Sequence, residues 1–240
     1  MIRRAKYQIT KFTFPVCLSA ITALGLVSAG AQEQIDRAPL NNDAPVTARL
    51  SKGETHRYPL MLTAGQYAQV EAKALSGDIT LELTAPDGRK LMKMKARNGI
   101  PEGNSVVAVA EEAASYFVKI TAMDPQKDGV EYQVRISELR PAKDADKARC
   151  QGEQLFAAGE EIYDQRTKEG YLASIEKYHA ALPYYEKAED WFGAARAVAT
   201  MGDAYYYLAN YLDALSAFER SLPLVRKAKQ TTKSFSLEVK

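Results

Sequence analysis

The carboxyl-terminal half of the chain contains two copies of one phrase, YLASIEKYHAALPYYEKA at residues 171–188 and YLDALSAFERSLPLVRKA at residues 211–228. The dipeptides Tyr-Leu, Leu-Pro and Lys-Ala recur in both copies at a spacing of 40 residues. A fixed internal period of about 20–50 residues is the signature of a repeat architecture. The copies therefore predict helical repeats over residues 142–228, beginning after Pro141, where the hydrophobic spacing changes to that of helices.

The second copy, extended towards its amino-terminal side, matches the tetratricopeptide pattern over residues 195–228. The residues that occupy positions of that pattern are Met201, Gly202, Tyr205, Tyr211, Ala214, Phe218 and Ser221. The sequence resembles this family, and the resemblance implies two antiparallel helices. They would pack closely because Gly202 and Ala214 are small, while Tyr205 and Phe218 fill the space beside them.

The first copy follows the pattern less closely. Its first helix, which we predict from Lys147 to about Arg166, lacks the Leu-Gly pair and is longer. Pro183 and Pro223 fall inside the second helix of each copy. Because proline there removes one backbone hydrogen bond and clashes with the preceding turn, we expect both helices to be kinked.

A 40-residue period with Leu-Pro at this position, after a β-rich segment, resembles the amino-terminal part of secreted bacterial CHAT-domain proteins. In those proteins such repeats precede a caspase-like peptidase domain, which residues 1–240 do not contain. Residues 229–240 lack the Leu-Gly pair and the Tyr of a third repeat. We interpret them as a carboxyl-terminal tail or a truncated repeat, and the chain as either a short relative or a truncated form of a longer protein.

Residues 43–140 are β-rich. Apolar and polar residues alternate in 56–62, 79–83 and 130–136, as they do in strands with one buried face. Turn sequences with Gly and Asp separate such runs at intervals of about 8–12 residues, a spacing typical of a sandwich or jelly roll. The predicted fold class is therefore multidomain, an all-β sandwich or jelly roll followed by all-α, tetratricopeptide-type repeats. The polar residues 32–42 predict a linker before the sandwich.

Three phrases in this segment, followed by the closing strand EYQVRISEL, resemble the bacterial pre-peptidase C-terminal domain. They are LTAGQYAQVEA at 62–72, LTAPDGRKL at 83–91 and AASYFVKITA at 113–122. Ala114 and Ser115 stand where that family usually has Gly before an aromatic residue. The resemblance implies an accessory module of secreted proteins, in some cases linked to surface or carbohydrate contact.

Residues 1–31 predict a signal peptide. Four basic residues precede an uncharged apolar run, Phe12–Ser28, which ends in Ala29-Gly30-Ala31. This order is typical of a Sec-type signal cleaved after Ala31. The alternative is an uncleaved membrane anchor, because the uncharged stretch is about the 20 residues that span a bilayer. We expect an exported protein, periplasmic or extracellular, with no membrane span after cleavage.

The charge balance argues against nucleic-acid binding. The chain has 32 basic and 30 acidic residues, but the four basic residues of 1–31 leave 28 against 30 after cleavage. A near-neutral chain has no basic face that could compete for phosphate backbones. We therefore expect no nucleic-acid partner.

The sequence has no recognisable catalytic or metal-binding constellation. A cysteine peptidase needs a thiolate and a histidine within hydrogen-bond reach, whereas Cys150, His56 and His179 fall in different predicted elements. The acids at turns that could suggest calcium are Asp78, Asp87, Asp124 and Asp128. Aspartate is favoured at turns for local hydrogen bonding alone. We predict a non-enzymatic chain with no catalytic residue, no cofactor and no metal.

The predicted functional surface is the groove that the first helices of stacked helix pairs line. The resemblance places Arg196, Ala199, Asp203, Tyr206 and Tyr207 at its groove-facing positions. Arg and Tyr are favoured at protein interfaces, so we predict an exported scaffold that binds a protein partner. The alternatives are a cover of tyrosines on a terminal helix, self-association through the repeats, a fragment of a CHAT-type cysteine peptidase, and a sandwich that contacts carbohydrate or the cell surface.

Overall fold

The computed structural model describes residues 33–41, 44–99 and 105–238, with side chains described up to residue 230. The predicted signal peptide, residues 1–31, lies outside them. Strands come first in this part of the chain: β1 Glu33–Asp36, β2 Val46–Leu50, β3 Glu54–Leu62, β4 Gln66–Ala74, β5 Ile79–Thr84, β6 Lys90–Ala96, β7 Ser105–Val109, β8 Ala114–Ala122 and β9 Val130–Pro141. Helices follow: α1 Asp144–Tyr163, α2 Lys168–Lys187, α3 Trp191–Tyr207 and α4 Tyr211–Glu238. The predicted order, all-β and then all-α, is confirmed.

The strands form two sheets that enclose a common core. One sheet has the order β1-β3-β8-β5-β6 and the other β2-β9-β4-β7. Every pairing is antiparallel except that of β1 with β3. In β9 the buried residues Val130, Tyr132, Val134 and Ile136 alternate with more exposed polar ones, because successive side chains of a strand point to opposite faces. This is the β-sandwich that the alternation predicts.

The segment that we predict to be a linker, residues 32–42, instead contributes an edge strand. β1 pairs with β3 in parallel, with Ile35 opposite His56. Arg57 on β3 donates hydrogen bonds of 2.7 and 2.9 Å to the carboxylate of Asp36. Leu40, which follows β1, is only 7% exposed. The segment is mostly polar, which is why the sequence predicts a linker. Its apolar residues Ile35 and Leu40 nevertheless make it part of the sandwich.

The first helix begins and ends three residues earlier than we predict. The carboxylate of Asp146 accepts a hydrogen bond of 2.6 Å from the backbone N–H of Lys143, which stabilises the start of α1. At its other end Arg166 has a positive φ of 52°, so the residue that we expect to end the helix lies in the following loop. Pro183 and Pro223 lie inside α2 and α4, as the repeat alignment predicts.

The helices form two antiparallel hairpins, α1–α2 and α3–α4, that share one kind of contact. A Cβ atom on Gly159 of α1 would lie 2.5 Å from the ring of Tyr178 on α2. A Cβ atom on Gly202 of α3 would lie 2.7 Å from the ring of Phe218 on α4. Only glycine permits the ring to approach the first helix this closely. Each hairpin therefore closes on an aromatic ring that packs against a glycine.

Helix α1 joins the hairpins to the sandwich by contacts with β6 and β7. Lys90 of β6 donates hydrogen bonds of 2.7 and 2.8 Å to Glu161. Arg149 of α1 donates a hydrogen bond of 3.1 Å to the hydroxyl of Tyr67 on β4. The buried side chains of the sandwich continue without a break into those of the helices, Cys150 and Phe156 among them. The β and α halves thus share one core.

Among the described residues, no helix has the length and the apolar character needed to cross a membrane.

Candidate functional site

A cleft of about 780 Å³ lies where α1 and α3 face strand β6, which is an edge strand of its sheet. Four of the five residues that we predict to face the groove line it: Arg196, Asp203, Tyr206 and Tyr207. Ala199 is half-buried on the same helix and is not among the lining residues. The sandwich contributes Lys95 and Arg97 to the opposite side. The cleft therefore combines the two halves of the chain, which we do not predict from the sequence.

Five tyrosines from all four helices meet at one end of this cleft. We call Tyr163, Tyr171, Tyr206, Tyr207 and Tyr211 the tyrosine cluster. The rings of Tyr171 and Tyr207 are stacked, with centroids 5.3 Å apart and an angle of 12° between their planes. Tyr163 packs edge-on against both, at 5.2 and 6.2 Å. Tyr206 packs edge-on against Tyr207 and Tyr211, at 5.9 and 5.6 Å.

The hairpin geometry explains why these tyrosines meet. Tyr163 and Tyr207 are the last residues of α1 and α3, whereas Tyr171 and Tyr211 lie at or near the first turn of α2 and α4. In antiparallel hairpins the end of the first helix and the start of the second lie together. Tyr171 is 9% exposed, but Tyr206, Tyr207 and Tyr211 are 58%, 61% and 62% exposed. Tyr171, which is buried, and Tyr163, which is half-buried, therefore support three rings that face solvent.

Arg196 lies at the floor of the cleft and is engaged by its own chain. Its Nη2 donates hydrogen bonds of 2.6 and 2.7 Å to the carboxylate of Glu153 on α1, and one of 3.2 Å to the hydroxyl of Tyr185. Its guanidinium carbon lies 4.1 Å from the ring centroid of Phe156. The side chain is 18% exposed. Arg196 thus joins α1 to α3 and is not a free group for a partner.

Asp203 is the carboxylate that the cleft leaves open. Within the described part of the chain its side chain forms no hydrogen bond and no ion pair. Although Asp203 is exposed, partial desolvation by the cleft walls raises its pKa, and the nearby Glu160 carboxylate raises it further. Glu160 itself is engaged, because it accepts a hydrogen bond of 2.8 Å from Tyr178 and lies 3.9 Å from the Nζ of Lys95. A hydrogen-bond donor or a cation from a partner would stabilise the Asp203 carboxylate.

The predicted packing residues lie between α3 and α4. Met201, Ala214 and Ser221 are buried, at 4%, 3% and 7% exposure, and Tyr205 is half-buried. The hydroxyl of Ser221 donates a hydrogen bond of 2.7 Å to the backbone carbonyl of Phe218. This local bond satisfies the hydroxyl of Ser221 inside the packed helix pair. Phe218 packs on Gly202 with one edge and remains 37% exposed on the other.

The thiol and the imidazoles of the described chain lie on three different elements, α1, α2 and β3. Cys150 is 7% exposed, and burial raises the pKa of its thiol to about 12. His179 is exposed on α2. His56 is fully buried in the sandwich, where its Nε2 accepts a hydrogen bond of 2.8 Å from Arg37 and its Nδ1 lies 2.6 Å from the hydroxyl of Tyr132. No group of three or more His, Cys, Asp or Glu side chains that could hold a metal occurs in the described ranges.

Our sequence reasoning missed Tyr163 and Tyr171 as members of the site. The signal that could have found them is a second offset, 43 residues, which relates α1 to α3: Ala158-Gly159 corresponds to Met201-Gly202. The same offset relates Arg166 and Ala209, which both have a positive φ in the loop inside a hairpin. The segment between Arg166 and Tyr171 is three residues longer than the corresponding segment between Ala209 and Tyr211, so the second helices are related by 40 residues and not by 43. An alignment at one fixed period therefore hides the first helix.

No protein-family model matches this sequence, and no curated protein matches it. Among solved structures, the chain is similar to PliG from Aeromonas hydrophila, a periplasmic lysozyme inhibitor of g-type lysozyme. The identity is 14%, the match covers 44% of this chain and 98% of that one, and the TM-score is 0.34. It is also similar to the pre-peptidase C-terminal domain of a collagenase from Bacillus anthracis, at 12% identity, with 44% and 96% coverage and a TM-score of 0.33. The chain is similar as well to PliG from Salmonella Typhimurium, at 13% identity, with 45% of this chain and 98% of that one covered and a TM-score of 0.29.

Proposed function

We propose that this chain is an exported, non-catalytic scaffold whose tetratricopeptide-like helices bind a partner protein in the cleft. The observation that carries the proposal is the tyrosine cluster, with three of its five rings more than half exposed beside an unpaired carboxylate. Monomeric proteins rarely leave aromatic side chains exposed side by side unless the patch is functional. Tyr is among the residues most enriched where interfaces gain their binding energy.

The rigidity of the cluster supports this role. Each exposed ring contacts at least one other tyrosine ring. Binding a partner costs about 0.5–1.5 kcal/mol for each rotamer-rich side chain that must be immobilised. Rings that already hold one another in place avoid much of this loss. The stacked pair Tyr171–Tyr207 therefore favours a preformed contact surface over a cover for a helix end.

The charged residues at the cleft favour a polar partner surface. Arg97, which follows β6, and Arg166, which follows α1, are exposed residues that line the cleft, and Asp203 lines it from α3. A rim of charged groups around an aromatic centre is typical of protein interfaces. We propose that the role of the β-sandwich, which resembles a pre-peptidase C-terminal domain, is to form one side of this cleft. Export rests on the signal peptide that the sequence of residues 1–31 predicts.

The proposal that the chain is not an enzyme rests on the state of its nucleophile. A cysteine peptidase of the CHAT type would need Cys150 as a thiolate, and its raised pKa keeps it protonated at neutral pH. Its candidate bases lie in the sandwich core and on α2, and His56 is already hydrogen-bonded at both ring nitrogens. We therefore place the function in the tyrosine-lined cleft.

Site-specific photo-crosslinking tests the proposal. A benzophenone amino acid would replace Tyr207 in one protein and Met61, a 63% exposed residue of β3, in a matched control. Both proteins would be irradiated in envelope extract of the source organism. We expect one discrete protein adduct from position 207 and none from position 61. Equal labelling at the two positions, or an adduct with glycan in place of protein at 207, would contradict the proposal.

A further inference from the structure

The outward side of α4 is apolar and exposed. We define the α4 face as Tyr211, Leu215, Phe218, Leu222 and Val225, whose spacing of three and four residues places them on one side of the helix. Tyr211 is 62% exposed, Leu215 is 56% and Leu222 is 55%. Leu212, at the margin of this face, is 84% exposed. Phe218 packs with one edge on Gly202 and Val225 is half-buried, but the rest of the α4 face is exposed in the described part of the chain. A contiguous exposed patch of this kind marks an interaction surface.

The same face exists on α2, and there it is covered. The residues 40 positions earlier are Tyr171, Ile175, Tyr178, Leu182 and Tyr185. Tyr171 is 9% exposed, and Tyr178 and Tyr185 are 0% exposed. Ile175 and Leu182 are half-buried and pack against the hydrophobic core. Corresponding residues are thus more exposed on α4 than on α2.

Helix α3 covers both ends of the α2 face. A Cβ atom on Gly193 of α3 would lie 2.5 Å from the ring of Tyr185, so the start of α3 meets the end of α2. The ring of Tyr207 stacks on Tyr171 at 5.3 Å, so the end of α3 meets the start of α2. The two helices are therefore antiparallel, and the contact extends over the 14 residue steps from Gly193 to Tyr207, or about 21 Å at 1.5 Å per step.

We propose that the α4 face binds one amphipathic α-helix of a partner polypeptide, in the antiparallel orientation that α3 takes on α2. The α2–α3 contact shows what such a helix looks like. The partner helix has an apolar side about four turns long, and one of its aromatic residues stacks on Tyr211 as Tyr207 stacks on Tyr171. None of the residues of the α4 face lines the cleft, and the α4 face shares only Tyr211 with the tyrosine cluster.

One difference between the two faces defines the other end of the partner helix. Val225 stands where α2 has Tyr185, so there is no ring that requires a glycine opposite it. The partner helix has room for Ala or a larger apolar side chain at the position that corresponds to Gly193. The α3 helix of a second copy is not free to dock in this way, because it is already packed between α2 and α4.

A peptide with the sequence of residues 188–209, in which Gly193 is replaced by Ala, provides the probe. Its binding to the purified chain would be measured by fluorescence anisotropy, with the peptide labelled at its amino terminus. The chain would be compared with Leu215→Glu, which places a charge in the α4 face, and with Ser216→Glu. Ser216 is the next residue on α4 and is also exposed, so it controls for added charge and for helix propensity.

We expect the peptide to bind the wild-type chain and Ser216→Glu equally, and Leu215→Glu more weakly by about tenfold or more, because the apolar contact would bury an unpaired carboxylate. Circular dichroism would verify that both variants keep their helices. Equal binding to all three proteins, or no binding to the wild-type chain, would overturn the proposal. So would sedimentation velocity showing a wild-type dimer that Leu215→Glu dissociates, because a second copy would then occupy the face.

Discussion

Arg196 and Glu153 form a two-bond ion pair, at 2.6 and 2.7 Å, that joins α3 to α1 at the floor of the cleft. The two residues are 43 positions apart, which is the offset that relates α1 to α3 throughout, so they occupy equivalent sites on the two helices. The side chain of Glu153 is 8% exposed and that of Arg196 18%. The pair is thus the buried link between the two first helices whose side chains line the cleft.

Replacing Arg196 with Met should destabilise the chain by about 3–5 kcal/mol, because it leaves the Glu153 carboxylate buried and unpaired. The double variant Arg196→Met, Glu153→Leu should recover most of this loss, since two apolar side chains of similar size need no partner. Urea unfolding followed by circular dichroism measures both. A single variant within 1 kcal/mol of wild type would show that the pair is not a structural link.

Gly159 and Gly202 should not tolerate a side chain. Alanine at Gly159 would bring a methyl group within 2.5 Å of the Tyr178 ring. Although alanine favours a helix by about 1 kcal/mol over glycine, overpacking typically costs about 1–3 kcal/mol, so we expect a net loss of unfolding free energy. Combining Gly159→Ala with Tyr178→Leu should reduce the loss. The control is Ser216→Ala on exposed α4, where we expect no loss; a gain in stability from Gly159→Ala would contradict the close contact.

Lowering the pH below about 6.5 should destabilise the folded chain through protonation of His56. Burial, and then the charge of Arg37, lower the pKa of His56 below its usual value, and Arg37 donates to its Nε2, so the folded state holds the neutral ring. The unfolded state binds a proton near pH 6.5 and the folded state does not. The stabilisation is therefore present above about pH 6.5 and is lost as the pH falls, by at most about 1.4 kcal/mol per pH unit.

Urea unfolding between pH 7.5 and 5 measures this dependence. We expect His56→Gln to lower stability at pH 7.5 and to flatten the fall at lower pH, whereas His179→Gln, at an exposed site, should leave the pH profile of the wild type unchanged. A profile that is as steep in His56→Gln as in wild type would assign the pH dependence to other groups.

Cys150 should be unreactive in the folded chain. It is 7% exposed and burial raises its pKa to about 12, and only the thiolate reacts with disulfide reagents. We expect labelling by an aromatic disulfide at pH 8 to be slow in buffer and complete within the mixing time in denaturant. Rapid labelling of the folded protein would show that the thiol is accessible, and would reopen the question of a nucleophile.

The sequence was sufficient to predict the order of sandwich and helices, because alternation in β9 and the Leu-Pro repeat in α2 and α4 are local signals. It was not sufficient for the first hairpin. The segment between Arg166 and Tyr171 is three residues longer than its counterpart before Tyr211, so the first helices are related by an offset of 43 residues and the second helices by 40. The glycine of α1, Gly159, was therefore not recognised as the counterpart of Gly202.

The cleft could be predicted only in part, because its form depends on contacts that leave no local pattern. Lys90 and Glu161 are 71 positions apart, and neither residue type indicates a partner. Such pairs place α1 against β6 and so bring Arg97 to the cleft. Arg196 was predicted as a surface group because the repeat pattern describes one helix pair at a time, whereas Glu153, its partner, belongs to the preceding pair.

Isothermal titration of the crosslinked partner, once purified, against three forms of the chain tests the central claim most directly. The forms are wild type, the double variant Tyr206→Ala, Tyr207→Ala, and the control Met61→Ala on β3. Loss of two exposed aromatic anchors should weaken binding by about 100-fold, at roughly 1–2 kcal/mol for each ring, while Met61→Ala should bind like wild type. Wild-type affinity in the tyrosine variant would contradict the assignment of the cleft as the binding site.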